Sequence, residues 1–383
     1  MARRVLEGIE VLDFTRVVAG PLCTRMLADA GANVLKVDRP TPETDGPMRA
    51  TGSPAANLGK RSIAVDLSQP DGVAVARDLA ARADVIVENF TPGVMARWGL
   101  GYEQLSAGRP ELIYASISGF GQSGPETDRR AYGAVAHAEA GLLWVQQQAQ
   151  GAEVPFAPGI TVADIVTGMN TFSGILAALY DRQQTGKGQQ IDVTLMESQL
   201  AMLSEVSTPP LNATADSDPE AEWRAFRHPV HATKDGHVTI NIGSPHNWLR
   251  IAHALGHPEV TGDQPADANE QIASWVAPLT LDQVAEAMRA AGAPYGVVRT
   301  MPDAVNLPYF EDRGMIAELP DPIVGSLRAI SSPIHLSNAD TGPTAGPPLA
   351  GEHSREVLAD IGRSAEQIDA LIAGGTVSES LAD

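Results

Sequence analysis

Glu10-Val-Leu-Asp-Phe14 reads as a strand, Pro21 to Ala30 as a helix stopped at Gly31, and Ala32-Asn-Val-Leu-Lys-Val-Asp38 as a second strand. A helix between two strands carries the chain back across the sheet, so the strands run parallel and the segment is a βαβ unit. The same alternation continues along the chain. Ser62-Ile-Ala-Val-Asp66, Asp84-Val-Ile-Val-Glu88, Leu112-Ile-Tyr-Ala-Ser-Ile117 and Gln190-Ile-Asp-Val-Thr-Leu195 are predicted strands, with a helix over Gly72 to Arg82. The expected fold class is therefore α/β, a doubly wound, Rossmann-like parallel sheet covered on both faces. Ligands of such sheets sit outside the carboxyl ends of the strands. The loops that matter are then residues 15–20, 39–61, 89–99 and 118–130.

The Pro158-Gly-Ile-Thr-Val-Ala-Asp164 stretch leads into the clearest helix of the chain. Ile165, Met169, Phe172, Leu176 and Leu179 recur at helical spacing and predict one buried face; Thr185-Gly-Lys-Gly188 supplies the stop. Asp164 falls at or beside the N-cap. There free backbone N–H groups and the helix dipole favour a carboxylate in its ionised form, the state a carboxylate nucleophile requires. Ala131 to Gln148 is predicted to be helical as well.

Beyond residue 210 the character changes. Asn212 to Glu222 is polar and acidic with little to bury, so 211–228 is read as a linker. His231 to Ile242 forms a hairpin around Lys234-Asp-Gly236, followed by helices near His246 to Leu255 and Leu281 to Ala291 and strands at 296–299 and 325–330. The expected organisation is a large α/β domain over 1–210, a smaller α+β domain over 229–325, and a return to the large domain over 326–383.

The chain of 383 residues is 43% hydrophobic, enough for a sizeable core, and carries a formal net charge of −20. That charge argues against nucleic acid as a partner. It is unevenly spread: residues 1–130 hold 15 Lys and Arg against 16 Asp and Glu, and the remaining 253 hold 12 against 31. An anionic ligand is therefore expected on the N-terminal third. No run of 18 apolar residues and no apolar leader occur, and the single cysteine, Cys23, cannot form an internal disulfide; a cytoplasmic protein without membrane association is expected.

Two motifs point elsewhere and fail on context. Gly119-Phe-Gly-Gln-Ser-Gly124 fits the dinucleotide fingerprint, but Pro125 to Arg130 follows where an apolar helix should, so no NAD is expected. His253 and His257 stand one helical turn apart, but Gly256 and Pro258 end the helix between and after them and no further ligand completes a set, so no metal is expected. In contrast Arg16, Arg39, Lys60, Arg61, Arg97 and Arg130 lie on predicted sheet-top loops, where converging cations suit phosphate oxygens.

The chain resembles the class III CoA-transferase family, the CaiB/BaiF type that also contains acyl-CoA racemases. The resemblance runs through Val11 to Pro21, Gly31 to Asp38, Asn57-Leu-Gly-Lys-Arg-Ser62, Val87 to Gly93 with Arg97-Trp-Gly99, Ser118 to Pro125, Asp164-Ile-Val-Thr-Gly-Met169 and Gly351-Glu-His353. It implies an intertwined homodimer that binds coenzyme A, as acyl-CoA, through the positions Arg16, Val17, Ala19, Arg39, Lys60, Asn89, Phe90, Arg97, Trp98 and Arg130. It implies that Asp164 is the covalent nucleophile that moves CoA between an acyl-CoA and a free carboxylic acid, and that Tyr132 donates to the developing oxyanion. Racemases of the family carry a histidine where this chain has Tyr132, which favours transfer over α-proton exchange. Formate- and oxalate-specific members carry a glycine-rich lid, where this chain offers only Ile242-Gly-Ser-Pro245. A 2-methylacyl-CoA racemase and a non-catalytic CoA-binding protein are the alternatives.

Overall fold

A computed structural model describes residues 3–40, 54–214, 217, 229–242, 245–321 and 324–380. Most of the acidic 211–228 stretch, and Gly243 with Ser244 of the lid position, lie outside the described residues. The chain divides into two compact units. One comprises Met1–Trp144, Pro155–Ser207 and Asp312–Asp383, the other Val145–Val154 and Thr208–Glu311.

The first unit is built on a seven-stranded sheet: β1 (Glu10–Asp13), β2 (Asn33–Asp38), β3 (Arg61–Val65), β4 (Val85–Glu88), β5 (Ile113–Ser118) and β6 (Gln190–Thr194) lie in the order β3-β2-β1-β4-β5-β6, all parallel. The two-residue strand Val377–Ser378 adds an antiparallel edge on β3. This is the nucleotide-binding order of doubly wound sheets, and its direction reverses between β1 and β4. Burial on both faces goes with largely apolar strands: β4 and β5 are buried at every position.

Among the described residues seven α-helices precede residue 186: α1 (Ala19–Asp29), α2 (Pro70–Ala80), α3 (Val94–Arg97), α4 (Tyr102–Ser106), α5 (Gly133–Glu139), α6 (Leu142–Gln150) and α7 (Val162–Thr185), followed by α8 (Leu195–Met202). The single helix expected over 131–148 is two, because Gly141 takes φ 90°, a left-handed turn that closes one helix and starts the next. Helix α7 ends as expected at Gly186, at φ 71°.

The buried face of α7 differs from the predicted stripe. Ala163, Thr167, Thr171, Ile175 and Ala178 face inward with Asp164, Gly168, Phe172 and Leu179, whereas Met169 is exposed. The reason is close packing on α1. A Cβ at Gly168 would lie 2.6 Å from the Ala19 carbonyl oxygen, so only a small side chain lets the two helices approach. The threonines bury their hydroxyls by donating to their own helix, Thr167 to the Ala163 carbonyl at 2.7 Å and Thr171 to that of Thr167 at 2.8 Å. With 24 residues and a mean hydropathy of 1.4 over its most apolar window, α7 is long and apolar enough to cross a membrane; half of that window is buried inside the unit.

The second unit has its own core around Trp248, Ile251, Ile272, Val276, Val284 and Met288. Its antiparallel sheet pairs Val230–Ala232 with His237–Ile240, and the latter with Tyr295–Val297. The turn between the first two holds Gly236 against Leu281, where a Cβ would come within 2.7 Å. His253 and His257 are used structurally: His253 Nε2 meets the Val260 carbonyl at 3.0 Å, and His257 stacks on Trp275 with ring centroids 4.3 Å apart.

Candidate active site

The reversal between β1 and β4 opens a cavity of about 350 Å³ lined by Arg16, Arg39, Pro40, Phe90 and Trp98 with residues 65–68. Four of the ten expected ligand-binding residues therefore meet on loops following β1, β2 and β4. Phe90 and Trp98 pack edge to face at 5.4 Å and form an aromatic wall. Arg16 forms the cationic side. Its guanidinium donates to the Val37 carbonyl at 2.8 Å and the Thr15 carbonyl at 3.0 Å. Burial lowers its pKa and Arg39 adds repulsion, against support from Asp38 and Asp13. An anion entering the cavity would relieve that repulsion.

The other expected binding residues take different places. Val17 is exposed at φ 70°, the one non-glycine residue with positive φ among those described, and β-branched residues are strained there. Asn89 holds this turn: its Oδ1 accepts the Arg16 N–H at 2.8 Å while its Nδ2 donates to the Arg16 carbonyl at 2.7 Å. The carboxamide is thus committed to a clamp between the β1 and β4 loops. Ala19 is buried where α1 meets α7. Arg97 and Arg130 are exposed and do not line the cavity.

Lys60 is not on the surface. Its ammonium lies 3.0 Å from Asp13 Oδ2 and also donates to Thr24, Asn57 and the Pro21 carbonyl, with both members of the ion pair fully buried. Burial alone would raise the Asp13 carboxyl, but Lys60, Lys36 and the hydroxyls of Thr15 and Thr24 hold it well below the usual carboxylate range. Asp13 Oδ1 also accepts the Thr15 N–H at 2.8 Å and the Thr15 hydroxyl at 2.5 Å, so the network is tied to the residue before Arg16.

Asp164 lies within the first turn of α7, three residues after the N-cap Thr161, which makes no side-chain cap bond. Only 7% of the residue is exposed. Position in the first turn predicts an ionised carboxylate, but burial moves the carboxyl the other way, above its ordinary value, against the lowering effect of the backbone N–H groups of Asp164 and Gly133. Its Oδ2 is buried without a hydrogen-bond partner among the described residues, so the Gly133 N–H lies near without forming a well-directed bond. A desolvated, under-partnered carboxylate oxygen is a reactive one.

Gly133 defines the seat of this oxygen. A Cβ there would stand 2.1 Å from Asp164 Oδ2, so the carboxylate rests against the bare backbone that opens α5. Tyr132 is the N-cap of α5 and is 70% exposed, next to that seat. His137, one turn further along α5, is buried, and its Nε2 accepts the Ala163 N–H at 3.0 Å. The glycine loop 119–124 returns to the same place: a Cβ at Gly119 would lie 2.6 Å from Ala131 Cβ. Sequence reasoning gave no role to Gly133, passed over Gly168 as a packing residue, and considered His137 only as an unsuitable second base. A glycine inside a helical pattern is the one signal that flags such close approach, and both Gly168 and Gly133, which lies inside the predicted 131–148 helix, carried it.

Comparison with known proteins identifies the family. Residues 6–354 match the model of CoA-transferase family III. The chain is 33% identical over 398 residues to mouse succinyl-CoA:glutarate CoA-transferase, covering 98% of this chain and 90% of that one. It is 31% identical to succinate–glutarate CoA-transferase of Agrobacterium fabrum, covering 93% and 95%. A crystal structure of a CaiB/BaiF family protein from Brucella suis superposes with a TM-score of 0.79 at 27% identity, covering 94% of this chain and 99% of that chain. The chain therefore belongs to CoA-transferase family III and is a CoA-transferase.

Proposed function

We propose that the enzyme moves CoA from succinyl-CoA to a dicarboxylic acid of the glutarate type, with Asp164 as the covalent nucleophile. The observation that carries the mechanism is the buried Asp164 carboxylate, its Oδ2 unpartnered against Gly133. The substrate class rests on the names of the relatives, which pair succinyl-CoA or succinate with a second dicarboxylic acid.

In this reading Asp164 attacks the thioester carbonyl carbon, the C–S bond breaks, and a mixed anhydride and CoA thiolate result. The thiolate attacks the aspartyl carbonyl, releases the donor carboxylate and leaves CoA as an aspartyl thioester. The acceptor carboxylate then attacks that thioester, re-forming an anhydride, and the thiolate takes the new acyl group while Asp164 is freed. Each adduct is an activated acyl group, so thioester energy is conserved and neither metal nor NAD enters. The Tyr132 hydroxyl is assigned as donor to the tetrahedral oxyanion. Arg16, Arg39, Phe90 and Trp98 take the nucleotide end of CoA, Arg97 and Arg130 its outer phosphates, and the Val17–Ala19 backbone its approach, with Asn89 and Lys60 in support. The reading includes an interlocked homodimer, with a large domain drawn from both ends of the chain.

A racemase would need a second base facing Asp164. His137 is unsuited, because its Nε2 is occupied by the Ala163 N–H. The test is transfer from succinyl-CoA to glutarate by the wild-type enzyme and by Asp164→Asn. The variant should lose more than ~10³ in rate. Hydroxylamine trapping during turnover, read by mass spectrometry, should mark Asp164; a mark on another residue refutes the mechanism. Deuterium uptake at the α-carbon of 2-methylacyl-CoA without any acceptor acid would instead support racemisation.

A further inference from the structure

Helix α7 begins without a cap of its own. The Thr161 side chain makes no cap bond, although four N–H groups open the helix and buried ones need partners. Ile165 N–H is met by the Thr161 carbonyl at 3.1 Å and Val162 N–H by that of Ile160 at 3.1 Å. The Ala163 N–H is met from another helix, by His137 Nε2 at 3.0 Å. Because that nitrogen accepts, the ring carries its proton on Nδ1 and is neutral. Burial, which pushes the imidazole down, holds it in that state. Ala163 immediately precedes Asp164, and Gly133, one turn before His137 on α5, is the wall against which Asp164 Oδ2 rests.

We propose that His137 is a positioning residue: as a neutral imidazole it caps α7 from the neighbouring helix and fixes the first turn so that the Asp164 carboxylate is held in its seat on Gly133. The inference rests on Asp164 being the nucleophile. His137 touches neither substrate nor the reacting atoms in this role. It acts through the Ala163 N–H, and loss of that bond lets the first turn drift by a fraction of an ångström to an ångström, a displacement that costs up to about 10²-fold in rate.

The experiment measures transfer from succinyl-CoA to glutarate by the full-length enzyme and two variants. His137→Gln keeps an acceptor of similar reach and should keep kcat within about threefold of wild type. His137→Met fills the space but cannot accept, and should lose ~30–100-fold in kcat with the KM for succinyl-CoA changed less than about threefold. A methionine variant with wild-type kcat, or a glutamine variant as impaired as the methionine one, overturns the proposal. Long-range ¹H–¹⁵N spectra of the wild-type imidazole need no variant. A protonated Nδ1 with bare Nε2 is expected, and a proton on Nε2 overturns the proposal. Asp164→Asn run alongside separates the two readings. If it retains the wild-type rate, the nucleophile assignment fails; if it is inactive while His137→Met is fully active, the positioning role alone fails.

Discussion

Gly133→Ala is the sharpest perturbation of the site, because it adds one methyl group at a place where the structure says what it meets. The new Cβ would stand 2.1 Å from Asp164 Oδ2 and 3.4 Å from its Cγ, with Thr161 Cβ at 3.6 Å. Real contacts of this kind do not fall below 3.0 Å, so the oxygen must retreat by 0.9 Å or more. The atom that moves is the far end of an aspartate side chain, so the backbone need not give way. Gly133 is not among the positive-φ residues, and alanine favours a helix over glycine by up to about 1 kcal/mol, so the fold should survive. A displacement near 1 Å at a nucleophile costs about 10² in rate. The expected outcome is kcat for succinyl-CoA and glutarate lowered ~10²-fold, KM for succinyl-CoA within about threefold, and a melting temperature no lower than wild type. A Gly133→Ala enzyme with kcat within twofold of wild type would refute the reasoning, since Asp164 Oδ2 would then work without the seat described here.

Two other perturbations test the Arg16 cavity and the sheet beside it. Asn89→Ala removes both bonds to the Arg16 backbone, worth roughly 1 kcal/mol each. It should raise the KM for succinyl-CoA about tenfold with little change in kcat; adding Val17→Gly, which removes the strain at φ 70°, should recover part of that loss, and an unchanged KM in Asn89→Ala would sink the clamp. Glu88, buried under Phe90 and accepting its N–H at 2.9 Å, is raised by burial from 4.5 to about 7, against the lowering effect of Ser116 and that N–H. A carboxyl raised on folding contributes stability that is complete below the unfolded value and lost as pH rises through the folded one, here roughly 3 kcal/mol between pH 4.5 and about 7. Glu88→Gln should therefore unfold at higher denaturant than wild type at pH 8 and show no such gain at pH 4.5; equal gains at both pH values would exclude titration of Glu88 as the cause.

Much of the large unit could be read from local pattern. The strands at Glu10, Asn33, Arg61, Val85 and Ile113 are largely apolar stretches bounded by glycine and polar turns, as both faces of a parallel sheet demand, whereas Gln190–Thr194, at the sheet edge, alternates and is partly exposed. The edge strand Val377–Ser378 could not be read, because two residues carry no period and are ordered only by pairing with β3. The inward face of α7 was misread for a related reason. The eye follows the large residues Ile165, Met169 and Leu176, but the α1 contact selects small ones, Ala163, Gly168 and Thr171, because the backbones approach too closely for anything larger. Lys60 looked like one more surface cation on a ligand loop, and only its pairing with Asp13, 47 residues away, shows it in the interior.

The sequence by itself determined that the chain alternates strand and helix, that its N-terminal third is near neutral while the rest is strongly acidic, and that a carboxylate opens the helix of Asp164. These are properties of single segments: a period, a charge count, a residue beside a helix start. What became of that carboxylate was decided by tertiary structure alone. Burial raises its proton affinity where the helix start would lower it, Gly133 shapes its seat, and His137 caps its helix from 26 residues away. Burial and hydrogen-bond partnership depend on which segments meet, and no period within one segment records that.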